Sequence, residues 1–317
     1  MRPLSSALAL FLLPASFSIV WAQNAAPAPP EEPTFTVGTR LVVLPVSVLA
    51  KNGKLLTDLP QKAFKVYENG VEQPIKIFRR EDVPISLGII IDNSGSMREK
   101  RQKVEAASLD LVRASNPMDE VFIVNFNDDA FLDVPLTSDI KKMEEGVARI
   151  DSRGGTAMRD AIDMSMTYLK KEGHRQKKVL LVITDGNDNA SNISLEKLVN
   201  RAQQNEVLVY CIGLLNEEER HEARAAKRAL DAISRDSGGL AFYPKGPADV
   251  DAIALQVAHE IRNQYTIAYS PTIPQMDGSF RQIKVTVNGP GHPTVRTRTG
   301  YYATPDGSAK KALSQLR

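Results

Sequence analysis

The stretch SLGIIIDNSGSM, residues 86–97, decides the fold. Its first half, Ser86-Leu-Gly-Ile-Ile-Ile91, is a short apolar run of the kind buried on both faces of a parallel sheet. Its second half, Asp92-Asn-Ser94-Gly-Ser96-Met97, reads as a tight polar loop in which Gly95 turns without a Cβ clash. In open α/β sheets ligands bind beyond the carboxyl ends of the strands, so this is where a site belongs. Asp92, Ser94 and Ser96 stand at alternate positions and can aim one carboxylate and two hydroxyls at one point. Hard oxygen donors of that type suit Mg²⁺ or Ca²⁺, and not Zn²⁺, which prefers nitrogen and sulfur.

Downstream of this loop, buried strands alternate with amphipathic helices. Residues 99–114 place Val104, Ala107, Leu109, Leu111 and Val112 at helical spacing, and 121–126 form the next apolar run. Helical stretches over 138–150 and 157–170 lead into 178–184, the most strand-like run of the chain. A helix over 195–204, a strand over 207–212, a charged helix over 217–235, a strand over 240–243 and a helix over 248–262 complete the pattern. The charged helix stops at Ser237-Gly-Gly239, glycine being suited to the position after a helix end. Such alternation predicts βαβ units and an α/β sheet covered on both faces.

Two further segments fall at strand ends. Gly154-Gly-Thr156 opens a helix, and Thr184-Asp185-Gly186 closes the most apolar strand. In this order, Asp-x-Ser-x-Ser, Gly-Gly-Thr and Thr-Asp-Gly resemble the metal-ion-dependent adhesion site of von Willebrand factor A (VWA) domains, over about residues 84–262. The resemblance implies a Rossmann-like, doubly wound α/β domain over 83–262, with a mostly parallel sheet and helices on both faces. It implies that Asp92, Ser94, Ser96, Thr156 and Asp185 surround one divalent cation, some directly and some through water. Mg²⁺ is the first expectation, with Ca²⁺ and Mn²⁺ as alternatives. It further implies that a carboxylate from a protein or peptide partner completes the coordination. No residue is assigned a catalytic role.

The flanks at 36–82 and 263–303 return to a period of two, with Asn69-Gly70 between apolar runs as a hairpin signal. Each is too short to bury a sheet alone, so they are expected to pair into a small all-β, immunoglobulin-like sandwich domain interrupted by the α/β domain. Two separate hairpins lying on the α/β domain are the alternative. Residues 1–22 read as a signal peptide, 23–35 as a Pro/Ala-rich linker and 304–317 as a disordered tail. The expected location is outside the cytoplasm, periplasmic or secreted and cell-surface, with no stable membrane insertion after signal cleavage.

Composition narrows the function. Charged residues make up 25% of the chain but the net charge is only +2, so the concentrated positive charge that nucleic acid requires is missing. The lone Cys211 lies in an apolar strand and reads as a core residue. Residues 185–196 partly mimic an EF-hand loop, but Ala190 stands where glycine is needed and a strand precedes it. No dinucleotide-binding, P-loop or nucleophile-elbow segment is present. The sequence is therefore read as an exported, metal-dependent protein-interaction module of the adhesion or scaffolding kind. The alternatives are an envelope protein with a purely stabilising metal, and a hydrolase or phosphotransferase using the same sheet edge.

Overall fold

The computed structural model describes residues 41–80, 82–113, 116–147, 153–186, 188–215, 220–245, 249–289 and 291–304. The expected signal peptide, linker and all but the first residue of the expected tail lie outside the described residues. The chain begins in β structure with β1 (Val42–Leu49), β2 (Phe64–Glu68), β3 (Val71–Gln73) and β4 (Ile75–Arg79). Asn69 and Gly70 both take positive φ, 47° and 83°, as a two-residue hairpin turn demands, and Val66 pairs with Gln73 across it.

The second arm of that hairpin is short: the chain breaks at Pro74, and β4 crosses to a different sheet. Proline donates no hydrogen bond and fixes φ, so it ends the ladder with β2 and frees the next residues to pair elsewhere.

The α/β segment follows. The strand β5 (Ile85–Asp92) leads to α1 (Arg101–Arg113), β6 (Glu120–Phe126), β7 (Ala130–Thr137), α2 (Ile140–Val147) and α3 (Met158–Glu172). Then come β8 (Lys177–Thr184), α4 (Leu195–Asn205), β9 (Leu208–Gly213), α5 (Arg220–Ser237), β10 (Ala241–Phe242) and α6 (Val250–Arg262). The six strands run in the order β10-β9-β8-β5-β6-β7, parallel except for the antiparallel edge strand β7. The pattern reading missed β7, because Asp133 and Pro135 interrupt its alternation. An edge strand tolerates both, since one of its sides needs no partner.

Each face of this sheet has its own core. Ile85, Leu87, Ile89 and Ile91 of β5 pack with Val104 and Leu111 of α1 and Ala254 and Val257 of α6. On the other face Ile90 and Phe122 meet Ile162 and Met166 of α3, Leu198 of α4 and Leu230 of α5. Gly88 is required in mid-strand, because a Cβ there would lie 2.3 Å from the Phe122 ring. Cys211 of β9 is fully buried, and burial pushes its thiol well above the usual range. The helix α5 ends at Ser237 with Gly238 at φ 94°, the left-handed geometry that glycine supplies.

The chain then returns to β structure through β11 (Tyr265–Tyr269), β12 (Phe280–Val287), β13 (Thr294–Arg296) and β14 (Gly300–Tyr302). Both remaining sheets mix strands from the two flanks, in the orders β13-β1-β11-β4 and β14-β12-β2-β3. Val42, Leu44, Val66, Ile267, Val285 and Tyr301 share one core between them. At its centre the buried carboxylate of Glu68 accepts hydrogen bonds from Tyr269 (2.7 Å) and Tyr301 (3.0 Å), one tyrosine from each sheet.

A buried polar knot ties this region to the α/β sheet. Glu260 near the end of α6 accepts bonds from Ser47 of β1 (3.1 Å), Tyr210 of β9 (3.4 Å) and Arg296 of β13 (3.0 Å). Glu260 is 2% exposed, so its charge depends on those partners. Removing one partner of a buried ion pair strands the other charge. Arg296→Ala is therefore expected to cost about 3 kcal/mol in urea unfolding, and a change under about 0.5 kcal/mol would show the pair to be idle.

Candidate functional site

The parallel register of β5 against β8 sets the site. Ile91 pairs with Ile183, so the two strands end side by side and their loops begin at the same edge. That edge lies where the chain winds from β5 outward in both directions, the switch point at which doubly wound sheets carry ligands.

Asp92, the last residue of β5, is 2% exposed. One carboxylate oxygen accepts the Ser94 amide (2.8 Å) and the other accepts the Thr184 hydroxyl at the end of β8 (2.5 Å). The Ser94 and Ser96 hydroxyls lie 3.1 Å apart, and Ser96 donates to Asp185 at 2.8 Å. The second Asp185 oxygen accepts Lys100 Nζ at 2.6 Å. Asp92, Ser94, Ser96 and Asp185 are thus joined by one continuous set of hydrogen bonds across two loops.

Thr156 enters from a third loop. Its amide donates to Asn189 Oδ1 (2.9 Å), its carbonyl accepts the amides of Asn189 and Ala190, and its hydroxyl lies 3.7 Å from where a Gly186 Cβ would stand. Among the described residues its hydroxyl makes no hydrogen bond to the other four. This loop is fastened to the first by Gly95 N–H to the Gly154 carbonyl (3.3 Å) and by Arg153 N–H to the Asn93 carbonyl (3.0 Å). Asp128, in the loop after β6, accepts the Gly155 amide at 2.8 Å. Gly154 has φ 77°, the left-handed region that favours glycine, and a side chain there would meet the Asp128 carboxylate at 2.2 Å and have to move it.

Lys100, Asp128, Asn189 and Thr184 are the residues that sequence reading did not assign. Lys100 carried a usable signal, since it lies one helical turn beyond the Asp-x-Ser-x-Ser loop. Asn189 carried none, because the loop after β8 reaches Thr156 only in three dimensions. Two residues at EF-hand ligand positions are engaged otherwise: Asp185 accepts bonds from Ser96 and Lys100, and Asn189 Oδ1 accepts the Thr156 amide.

The donor set fits a hard dication. It contains carboxylate and hydroxyl oxygens and no nitrogen or sulfur. Among the described residues no group of three or more His, Cys, Asp or Glu converges, so hydroxyls must share the work. Burial lifts the Asp92 carboxyl to about 6; the bonds from Thr184 and Ser94 oppose this, and the nearby Asp185 charge adds to it. A carboxylate held so far from its ordinary value is under-compensated, which is the condition a bound cation would relieve.

Comparison with known proteins gives the frame. The family model of the von Willebrand factor type A domain matches residues 87–254, more than half of the chain. The von Willebrand factor type A structure from Catenulispora acidiphila covers 87% of this chain and 77% of its own, at 13% identity and a TM-score of 0.50. The conserved hypothetical protein BatB from Bacteroides thetaiotaomicron covers 56% of this chain and 98% of its own, at 21% identity and a TM-score of 0.45. An uncharacterized protein of Borreliella burgdorferi is 29% identical over 141 residues, 41% of each chain. The match therefore spans less than half the length of that curated relative. No helix among the described residues is long and apolar enough to cross a membrane.

The raised Asp92 pKa has a signed consequence without metal. Between about pH 4 and 6 the folded state binds more protons at Asp92 than the unfolded state, so stability at this group falls as pH rises through that window. Asp92→Asn removes the titration. In EDTA the variant should gain stability relative to wild type on going from pH 4.5 to 7.5, by at most about 3 kcal/mol. A wild-type-minus-variant difference that is flat with pH would refute the assignment.

Proposed function

We propose, from the premise that this chain belongs to the von Willebrand factor type A family, that it is an exported protein-interaction module working through a divalent cation. Asp92, Ser94, Ser96, Thr156 and Asp185 would hold that cation, with Mg²⁺ the first candidate and Ca²⁺ or Mn²⁺ the others. When bound, the cation supplies a Lewis-acidic position to which a carboxylate of a protein or peptide partner can attach. The reading assigns no catalytic residue. It takes residues 1–22 as a signal peptide, 23–35 as a linker, 83–262 as the α/β domain, 304–317 as a tail, and the flanks 36–82 and 263–303 as one small immunoglobulin-like domain.

The observation that carries this reading is the bonded set Asp92–Thr184 and Ser94–Ser96–Asp185 at adjoining strand ends. Two carboxylates only balance a dication, so a bound ion would keep its attraction for one more anion. The exposed Arg98 and Arg153 on the same loops add positive charge to the rim that an acidic partner would meet.

Lys100 separates this reading from a purely structural metal. Its ammonium already neutralises part of Asp185, whose side chain is 1% exposed. The loops therefore carry a cation of their own beside Asp185. A dication must displace that ammonium or share Asp185 with it, so Lys100 competes with the metal.

Two measurements follow. By isothermal titration calorimetry with Mg²⁺ and Mn²⁺, Asp92→Ala should weaken binding at least 100-fold. The variant should also lose any Mg²⁺-dependent retention of acidic peptides, while unchanged retention in EDTA would sink the metal-bridge reading. Lys100→Met should bind metal about tenfold more tightly, equivalent to 1.4 kcal/mol, and lose stability in EDTA. Unchanged or weaker metal binding in Lys100→Met would show that the ammonium does not compete.

A further inference from the structure

A feature that the metal reading leaves unused lies at the other end of the central strands. A cavity of about 490 Å³ opens where β8 and β9 begin, between the base of the α/β sheet and the strands β1, β4 and β11. That volume lies within the range of small-molecule sites, roughly 300–1,000 Å³. Val43, Pro45, Val83, Pro84 and Leu208 line it with apolar surface. Arg79, Arg175, Lys177 and Lys178 reach it with positive charge.

Basic side chains outnumber acidic ones in the lining: among the described residues Glu206 is its one acidic member, and it is paired with Arg298 at 3.0 Å. His174 is taken by Glu120 at 3.0 Å. Lys177 donates to the Ile261 carbonyl, and burial pulls its ammonium down to about 7 against the opposing charges of Asp82, Glu260 and Asp119. Arg175 is the key residue. Its backbone amide bonds to Ser86 and Glu120, and its side chain lines the cavity, where a guanidinium pairs best with an anionic acceptor.

We infer that this cleft is a second binding site, taking a small organic anion: a single carboxylate, sulfonate or phosphate group carried on an apolar body. The anionic group bonds to the Arg175 guanidinium among the surrounding cations. The apolar body lies against Val43, Pro45, Val83 and Leu208. Because these walls come from both β1 and the α/β sheet, the ligand spans the junction between them. The inference is independent of the metal site, which occupies the other end of the strands.

The test is a fluorescence titration of the purified protein with 1-anilinonaphthalene-8-sulfonate, which joins a sulfonate to an apolar body. Decanoate and inorganic phosphate serve as competitors, separating a fatty-acid-like ligand from a bare anion. Saturable binding at one site, displaced by decanoate and only by at least 100-fold more phosphate, is expected. Arg175→Gln should weaken the probe at least tenfold, and Thr266→Trp, which fills the cavity from β11, should abolish binding. Asp92→Ala should change nothing. Circular dichroism and thermal melting confirm that each variant is folded, and either of the two cavity variants suffices for the test. Unsaturable binding, binding indifferent to the folded cavity variants, or displacement by equimolar phosphate would each overturn the inference.

Discussion

Everything at the candidate site depends on holding two buried carboxylates, Asp92 and Asp185, at adjoining strand ends without their repulsion opening the loops. The register of β5 on β8 forces the two together. Hydrogen bonding makes the proximity tolerable: Asp92 is met by a serine amide and a threonine hydroxyl, Asp185 by a serine hydroxyl and a lysine. The residual strain shows in the Asp92 carboxyl, lifted by burial and by its neighbour. In the proposed reading, a bound cation would relieve that imbalance.

The glycines of the neighbouring loop follow from the same demand. To bring Thr156 to the edge of this pair, the backbone must pass close to Asp128, and neither Gly154 nor Gly155 leaves room for a side chain. Asp128 in turn holds the Gly155 amide, so a third carboxylate is spent on fixing the loop and not on the cluster itself. Asp92 and Asp185 are joined to each other through Ser94 and Ser96, while Asp128, Asp160 and Asp188 each fasten a backbone amide of a neighbouring segment.

At the other end of the strands, the chain solves a different problem. Two β-rich flanks, separated by the whole α/β segment, interleave in both outer sheets. Each flank alone would leave its core-facing apolar residues in water. Together they bury a common core and clamp Glu68 between tyrosines of different sheets. Glu260 and its partners Ser47, Tyr210 and Arg296 then join that core to the central sheet. The segment 83–84 and the short link 263–264 also cross this junction, so the cavity there sits among constrained elements.

By itself the sequence determined the local elements and the identity of the polar loops. Apolar runs of strand length, helical spacing and Asp-x-Ser-x-Ser, Gly-Gly-Thr and Thr-Asp-Gly are all short-range patterns, and local backbone preferences respond to short-range patterns. The Asn69-Gly70 turn was legible for the same reason. What only the tertiary structure decided were the long-range partners: β4 leaving its hairpin at Pro74, β7 closing the sheet edge despite Pro135, and Lys100 on Asp185 with Asn189 on Thr156. Edge position removes the demand for alternation, so β7 had no period to read. Contacts between residues 33 or 85 positions apart depend on which strands lie side by side. That is settled when the sheet assembles and its register brings the loops together.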